Sequence, residues 1–181
     1  LDRDVWEDLF VAATERPNHL FHNFQDGSFV DIGVAAGMGR TTVTRGSATA
    51  DYDRDGDVDL AIVNSGGSVR LFRNDSVAVG SWLSVSLEAV SSNRSAIGTV
   101  LRARAGDLQM MRQVKGGSGA HSQNELVVHF GLGEASSVDE LRVEWPSGVV
   151  DVLYDLPGGE RLHLVEGSAA AALPPLPPAP L

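Results

Sequence analysis

The sequence predicts an all-β fold, with β-hairpins in the first half and an antiparallel β-sandwich-like domain in the second. Three observations carry this. Twenty glycines against three methionines suit many turns and short strands. The first half holds two copies of a loop, strand, turn and strand pattern. From Trp82 onward, seven short apolar or alternating runs follow one another, separated by Gly- and Pro-containing turn signals. With 181 residues, 43% of them hydrophobic, the chain can bury a core as one sizeable domain or two small ones.

The repeat is seen by setting Asp8-Leu9 beneath Asp59-Leu60, an offset of 51 residues. Leu20-Phe21-His22-Asn23 then falls under Leu71-Phe72-Arg73-Asn74 without a gap. In the first copy the expected strands are residues 9–13 and 18–24, with a turn at Arg16-Pro17. In the second they are residues 60–64 and 68–74, with a turn at Gly66-Gly67. Phe24 to Phe29 adds a hairpin signal around Asp26-Gly27. Residues 31–37 suggest one short helical turn.

The second copy opens with Asp51-Tyr52-Asp53-Arg54-Asp55-Gly56-Asp57-Val58-Asp59. Five aspartates alternate over this stretch. Two carboxylates about 5 Å apart repel by roughly 3 kcal/mol at an effective dielectric near 20, so a cation is expected among them. All-oxygen donors at about 2.3–2.6 Å suit calcium. Asp51, Asp53 and Asp55 would offer carboxylates, Asp57 its backbone carbonyl, and Asp59 would close the shell. Gly56 permits the sharp turn around the ion. An EF-hand is excluded, because position 12 is Ile62 rather than Glu and an apolar strand follows. The competing reading is a solvated Asp/Gly turn.

The Asp-x-Asp-x-Asp-Gly-x-x-Asp-Leu loop, followed by a Leu-Phe-x-Asn strand, resembles the FG-GAP/VCBS repeat. That resemblance covers residues 2–75 and implies β-propeller-type blades: one blade and part of another. A propeller needs about four to eight, so either further blades lie upstream or these strands pack on the next domain. In the first copy Asp2, Asp4 and Asp8 stand at the positions of Asp53, Asp55 and Asp59, while Val5 replaces Gly56. A second, incomplete calcium site is expected there at most.

Residues 77–81 read as a linker. Beyond it the expected strands are 82–87, 96–105, 108–114, 125–130, 140–145, 149–154 and 161–165. Turns are expected at Gly106-Asp107, Gly116 to Gly119, Gly131-Leu132-Gly133, Pro146 to Gly148 and Pro157 to Gly159. Trp145-Pro146 should end a strand with the indole in the core. Asn93 to Gly98, Gly116 to Gly119, Ser122-Gln123, His129 to Gly133 and Trp145 to Gly148 occur in the order found in the ASPIC/UnbV domain, which residues 82–167 resemble. Ala120-His121 departs from the pattern, where an aromatic and an aliphatic residue are expected. The Pro/Ala-rich segment 168–181 reads as a loose tail.

The net charge of -10 argues against nucleic acid, whose phosphates need a basic surface. Cysteine is absent, so disulfides are excluded. No apolar run approaches the roughly 18 residues of a membrane span. His121 and Ser122 adjoin on a Gly-rich loop, with Asp107 and Asp139 elsewhere, but neighbours in sequence do not make a catalytic triad. No Gly-x-Ser-x-Gly elbow occurs. The five histidines lack zinc spacing, and His19 and His22 are expected on opposite faces of a strand. Gly131 and Gly133 lack the strand-to-helix context of a phosphate loop. Asn93-Arg94-Ser95 matches the N-glycosylation sequon, with Arg94 expected to hold its turn through backbone carbonyls. Together with the resemblances, these features imply a non-enzymatic, calcium-binding extracellular binding or adhesion module. It would be secreted or cell-surface, with a protein or glycan as its ligand. The alternative is an accessory, substrate- or glycan-binding domain of a larger secreted enzyme.

Overall fold

The computed structural model describes residues 2–39, 41–67, 69–76, 80–168 and 171–172. Among them there is no α-helix. The first half contains β1 (Leu9–Val11), β2 (Thr14–Pro17), β3 (His19–Asn23), β4 (Phe29–Asp31), β5 (Thr41–Ala50), β6 (Asp59–Asn64) and β7 (Val69–Phe72). The second contains β8 (Ser81–Glu88), β9 (Val100–Ala105), β10 (Leu108–Gln113), β11 (Val128–Gly133), β12 (Ser137–Glu144), β13 (Val150–Pro157), β14 (Glu160–Val165) and β15 (Ala171–Ala172). The fold is all-β, as expected.

The first half forms two antiparallel sheets, ordered β1-β3-β4 and β2-β5-β6-β7. Leu20, Met38, Leu60 and Ile62 make their small shared core. The turn expected at Arg16-Pro17 is instead part of β2, paired to Thr42 and Thr41 of β5. Pro17 is tolerated there because β2 is an edge strand, where a missing N–H breaks no ladder bond. The helical turn expected at 31–37 is present as a single turn, closed by the Ala36 amide donating to the Ile32 carbonyl at 2.9 Å.

The second half is a sandwich of two sheets, β10-β9-β12-β13 and β11-β8-β14-β15. Alternation decides which face of β9 is buried. Leu101, Ala103 and Ala105 point inward, while Arg102 and Arg104 face solvent. Leu83, Val85, Phe130, Leu132, Leu162 and Leu164 of one sheet meet Leu101, Val138, Leu141 and Val143 of the other in one core. The expected purely antiparallel pairing needs one correction: β14 runs parallel to β8. Adjacent hairpins must pair antiparallel, but β8 and β14 are joined by a long crossover through the other strands, which permits the parallel sense.

Several boundaries move. The strand expected from Ala96 starts at Val100, because Ala96 lies in a turn at φ 55°. Gly131-Leu132-Gly133 continues β11 rather than turning, since Leu132 is fully buried. Trp145 does end its strand inside the core, its indole N–H donating to Asp151 Oδ2 at 2.7 Å. Of the expected linker, residues 77–79 lie outside the described residues and Ser81 opens β8. Within the segment read as a loose tail, Ala171 and Ala172 pair with β14; residues 173–181 lie outside the described residues.

The buried Glu166 carboxylate closes the end of the sandwich. The Ser147 hydroxyl donates to it, as do the amides of Val90 and Ser91, each at 2.6 Å. The Ser147 bond foremost, then the Ser91 amide, hold this carboxyl below its ordinary range against the opposing effect of burial. A folded value below the unfolded one, about 4.3, stabilises above that pH and is lost as pH falls through the folded value. Glu166→Gln is therefore expected to lower Tm at pH 7, with the gap from the parent protein closing below about pH 4. Thermal melts across pH 3–7 check this; a gap independent of pH would mean that charge plays no part.

Candidate metal centre

The two repeat copies share equivalent hydrogen bonds and backbone angles. Asn23 donates its amide to Asp8 Oδ1 at 2.9 Å, and Asn74 does the same to Asp59 Oδ1 at 2.8 Å. The Asn23 side chain reaches the Glu7 carbonyl and that of Asn74 the Val58 carbonyl, both at 3.4 Å. Arg3 and Arg54 share φ values of 63° and 66°. Val5 adopts φ 88° where Gly56 has 93°. A β-branched residue in that region is a genuine outlier. The first loop therefore keeps the shape of the second even where its sequence has lost the glycine.

In the second loop, β5 delivers Asp51 and β6 begins at Asp59. Asp51, Asp53 and Asp55 each present a carboxylate oxygen, and these lie within 4.8 Å of one another. Asp51 Oδ1 and Asp53 Oδ1 are buried and have no hydrogen-bond partner. Asp51 Oδ2 accepts the Gly56 amide at 3.1 Å and pairs with Arg161 Nη2 at 2.6 Å. Asp55 Oδ1 accepts the Asp57 amide at 2.8 Å. Arg73 stays peripheral: its guanidinium is 4.0 Å from Asp53 but binds Asp75 at 2.7 Å.

Asp57 and Asp59 are placed differently. The Asp57 side chain faces Arg3, whose Nε and Nη2 donate to its two oxygens at 2.8 and 2.9 Å. Asp59 receives the Asn74 amide on Oδ1 and the Tyr52 amide on Oδ2, the latter at 3.1 Å. Burial raises the pKa of both, Arg3 opposing it at Asp57 and the two amides at Asp59. The side chain of Asp57 thus anchors the N-terminal segment, and that of Asp59 braces the loop. Desolvated carboxylates with orphaned oxygens, grouped in a loop that supplies only oxygen donors, fit a calcium ion.

Residues remote in sequence complete the surroundings. Glu125 Oε1 accepts the Asp51 amide and the His129 Nε2–H, both at 2.7 Å. Burial raises the Glu125 pKa, but His129, the Asp51 amide and Arg161 together outweigh it and leave it lowered. Gly56 packs directly on Trp82, whose Cε2 would lie 2.2 Å from a Cβ at that position. Ser122 Oγ and Asn124 Oδ1 accept the amides of Ser47 and Thr49 along β5. Thr49 in turn accepts the Glu125 amide at 3.0 Å. Glu125, Ser122, Asn124 and Arg161 are not signalled by local spacing, because each is more than 70 residues from the β5 residue or loop aspartate it meets.

The first loop gathers a different set from the one expected. Asp2, Asp8 and His22 present donor atoms within 4.8 Å of one another. Asp4 stands apart, accepting the Trp6 amide at 3.0 Å and the Gln25 side chain at 3.1 Å. His19 and His22 do diverge, His19 pairing with Asp31 at 2.7 Å. His22 was missed as a member of this group because its partners come from other segments.

Several of the remaining sequence candidates have structural employment. Ser122 Oγ donates to the Ala120 carbonyl while accepting the Ser47 amide. Asp139 is held by Arg104 and the Gly106 amide. Asn93 of the sequon bonds Ile97 through both its carboxamide atoms at 2.8 Å. Arg94 pairs with Glu88 at 2.9 Å rather than with the expected carbonyls, because its head lies in solvent beside that carboxylate. Gly131 admits the Arg3 backbone, 2.7 Å from where a Cβ would be, instead of a phosphate.

Comparison with known proteins finds two family matches in succession. The FG-GAP-like repeat family matches residues 1–62, and the ASPIC and UnbV family matches residues 89–171. Cartilage acidic protein 1 of Homo sapiens is 44% identical over 66 residues, and that of Xenopus tropicalis is likewise 44% identical over 66. The mouse protein is 42% identical over the same length. The match covers 36% of this chain and 10% of each relative. The two family models thus match successive stretches of the chain, an FG-GAP-like repeat followed by ASPIC and UnbV, and the chain is homologous over part of its length to cartilage acidic protein 1.

Proposed function

We propose that this chain is a non-enzymatic, extracellular binding module, secreted or cell-surface, whose second loop is organised by a structural calcium ion. The observation that carries the calcium reading is the pair of buried, unpartnered oxygens, Asp51 Oδ1 and Asp53 Oδ1, beside Asp55. A buried carboxylate oxygen without a donor is costly, and a hard cation satisfies both at once. Asp51, Asp53 and Asp55 supply the carboxylates and Asp57 its backbone carbonyl, while Asp59, held by the Asn74 and Tyr52 amides, closes the shell. Calcium here draws the loop into the shape that Arg161 and Glu125 hold from outside. The role as a binding module for an extracellular protein or glycan rests on the domain pair and on the matched relatives.

Calorimetric titration of metal-stripped protein with calcium is expected to show one site, with Kd between about 10 μM and 1 mM. Terbium luminescence should report the same site and be lost in Asp53→Ala. No heat and no luminescence at millimolar ion would overturn the calcium reading. For the module reading, glycan and extracellular-matrix protein arrays should give binding without turnover of the bound ligand.

A further inference from the structure

We propose that the calcium site of the second loop is built by both halves of the chain: Arg161 and Glu125 of the sandwich are positioning residues for Asp51, and calcium in turn fastens the loop to the sandwich. This inference rests on the calcium reading above. The aspartate pattern does not call for it, because the loop carries five carboxylates of its own. What calls for it is where the loop sits. It rests on three adjacent strands of one sheet, ordered β11-β8-β14. Arg161 lies on β14, Trp82 on β8, and Glu125 just before β11. Trp82 lies against Gly56. Arg3 clamps Asp57, and its carbonyl accepts the Gly133 amide of β11. A sheet fixed by its own core is a rigid support for a loop.

Asp51 is the ligand that this support sets. Its side chain is fully buried, whereas that of Asp53 is 20% exposed. Its amide donates to Glu125 Oε1 at 2.7 Å. Its Oδ2 accepts Arg161 Nη2 at 2.6 Å and the Gly56 amide at 3.1 Å. Held at the backbone and at one oxygen by two donors, the carboxylate cannot turn. Oδ1, which has no hydrogen-bond partner, is left as its free oxygen in the group with Asp53 and Asp55. Arg161 makes its one hydrogen bond among the described residues to Asp51, its Nε being buried without a partner. By charge alone a cation so near would oppose calcium. By geometry it holds a ligand in place, and groups that do so are typically worth 10–100-fold in metal affinity. The two effects have opposite signs, so the direction of change on removing the charge separates them. Coupling is reciprocal: whatever the sandwich adds to calcium binding, calcium returns to the contact between loop and sandwich.

The test titrates the whole chain, stripped of metal, with calcium by calorimetry, with terbium luminescence reporting the site. Arg161→Met removes the charge and keeps the apolar stem. It should weaken calcium binding by at least about tenfold. Hydrogen exchange gives the second readout. In the parent protein, calcium should slow exchange in residues 122–129 and 160–163 as well as in 51–58. In Arg161→Met at saturating calcium, the protection of 160–163 should be lost while that of 51–58 remains. Should Arg161→Met unfold, Arg161→Lys keeps the charge without the planar fork, and it should still bind calcium more weakly than the parent. Calcium binding as tight as the parent's, or tighter, in the folded variant would overturn the proposal and leave the calcium site standing. So would calcium protection confined to residues 51–58 in the parent. Absence of both heat and luminescence in the parent would instead overturn the calcium reading, and this proposal with it.

Discussion

Phe130→Ala is expected to lower the free energy of unfolding by about 3–5 kcal/mol. Phe130 is fully buried on β11, opposite Leu83 of β8, within the core that both sheets of the sandwich share. Removing the ring takes away its transfer free energy and leaves a cavity between two sheets whose spacing is set by their other side chains. Arg112 lies over the same ring at 5.8 Å and pairs with Glu7, so the N-terminal segment should loosen as well. Urea titration followed by tryptophan fluorescence measures this. A loss under about 1.5 kcal/mol would show that the sheets close over the gap.

Gly56→Ala is expected to cost about 2–5 kcal/mol, from two independent sources. The backbone at φ 93° disfavours any Cβ by about 1–2 kcal/mol. The added methyl would also meet the Trp82 indole at 2.2 Å, and such overpacking costs about 1–3 kcal/mol. Trp82 lies on β8 and is fixed by its sheet, so the loop must move instead. Calcium affinity should fall with stability, because Asp51 Oδ2 accepts the Gly56 amide. Hydrogen exchange should rise both in residues 51–58 and in residues 122–129, which are joined through Glu125 and Thr49. Calorimetry and exchange on the variant check the two effects. Unchanged affinity with lowered stability would separate the loop shape from ion binding.

Val5 shows how far local sequence can mislead. Read alone, valine at the glycine position marks the first loop as broken. The structure keeps the same backbone there, at φ 88°, with Gly133 donating its amide to the Arg3 carbonyl at 2.9 Å and Arg3 clamped on Asp57. Tertiary contacts of this kind can hold a residue in a region it would not choose.

What the sequence by itself determined is whatever depends on neighbours along the chain. The 51-residue repeat, the aspartate alternation, the inward face of β9 and the stop at Trp145-Pro146 all follow from period, turn chemistry and hydrophobicity. Only the tertiary structure decided what faces the loops. Arg161 reaches Asp51 across 110 residues, Glu125 across 74, and Arg3 reaches Asp57 across 54. The parallel pairing of β14 with β8 and the meeting of His22 with Asp2 and Asp8 belong to the same class. Such contacts are set by how whole sheets pack to bury their apolar faces. Local propensity carries no information about which distant side chain that packing will bring near.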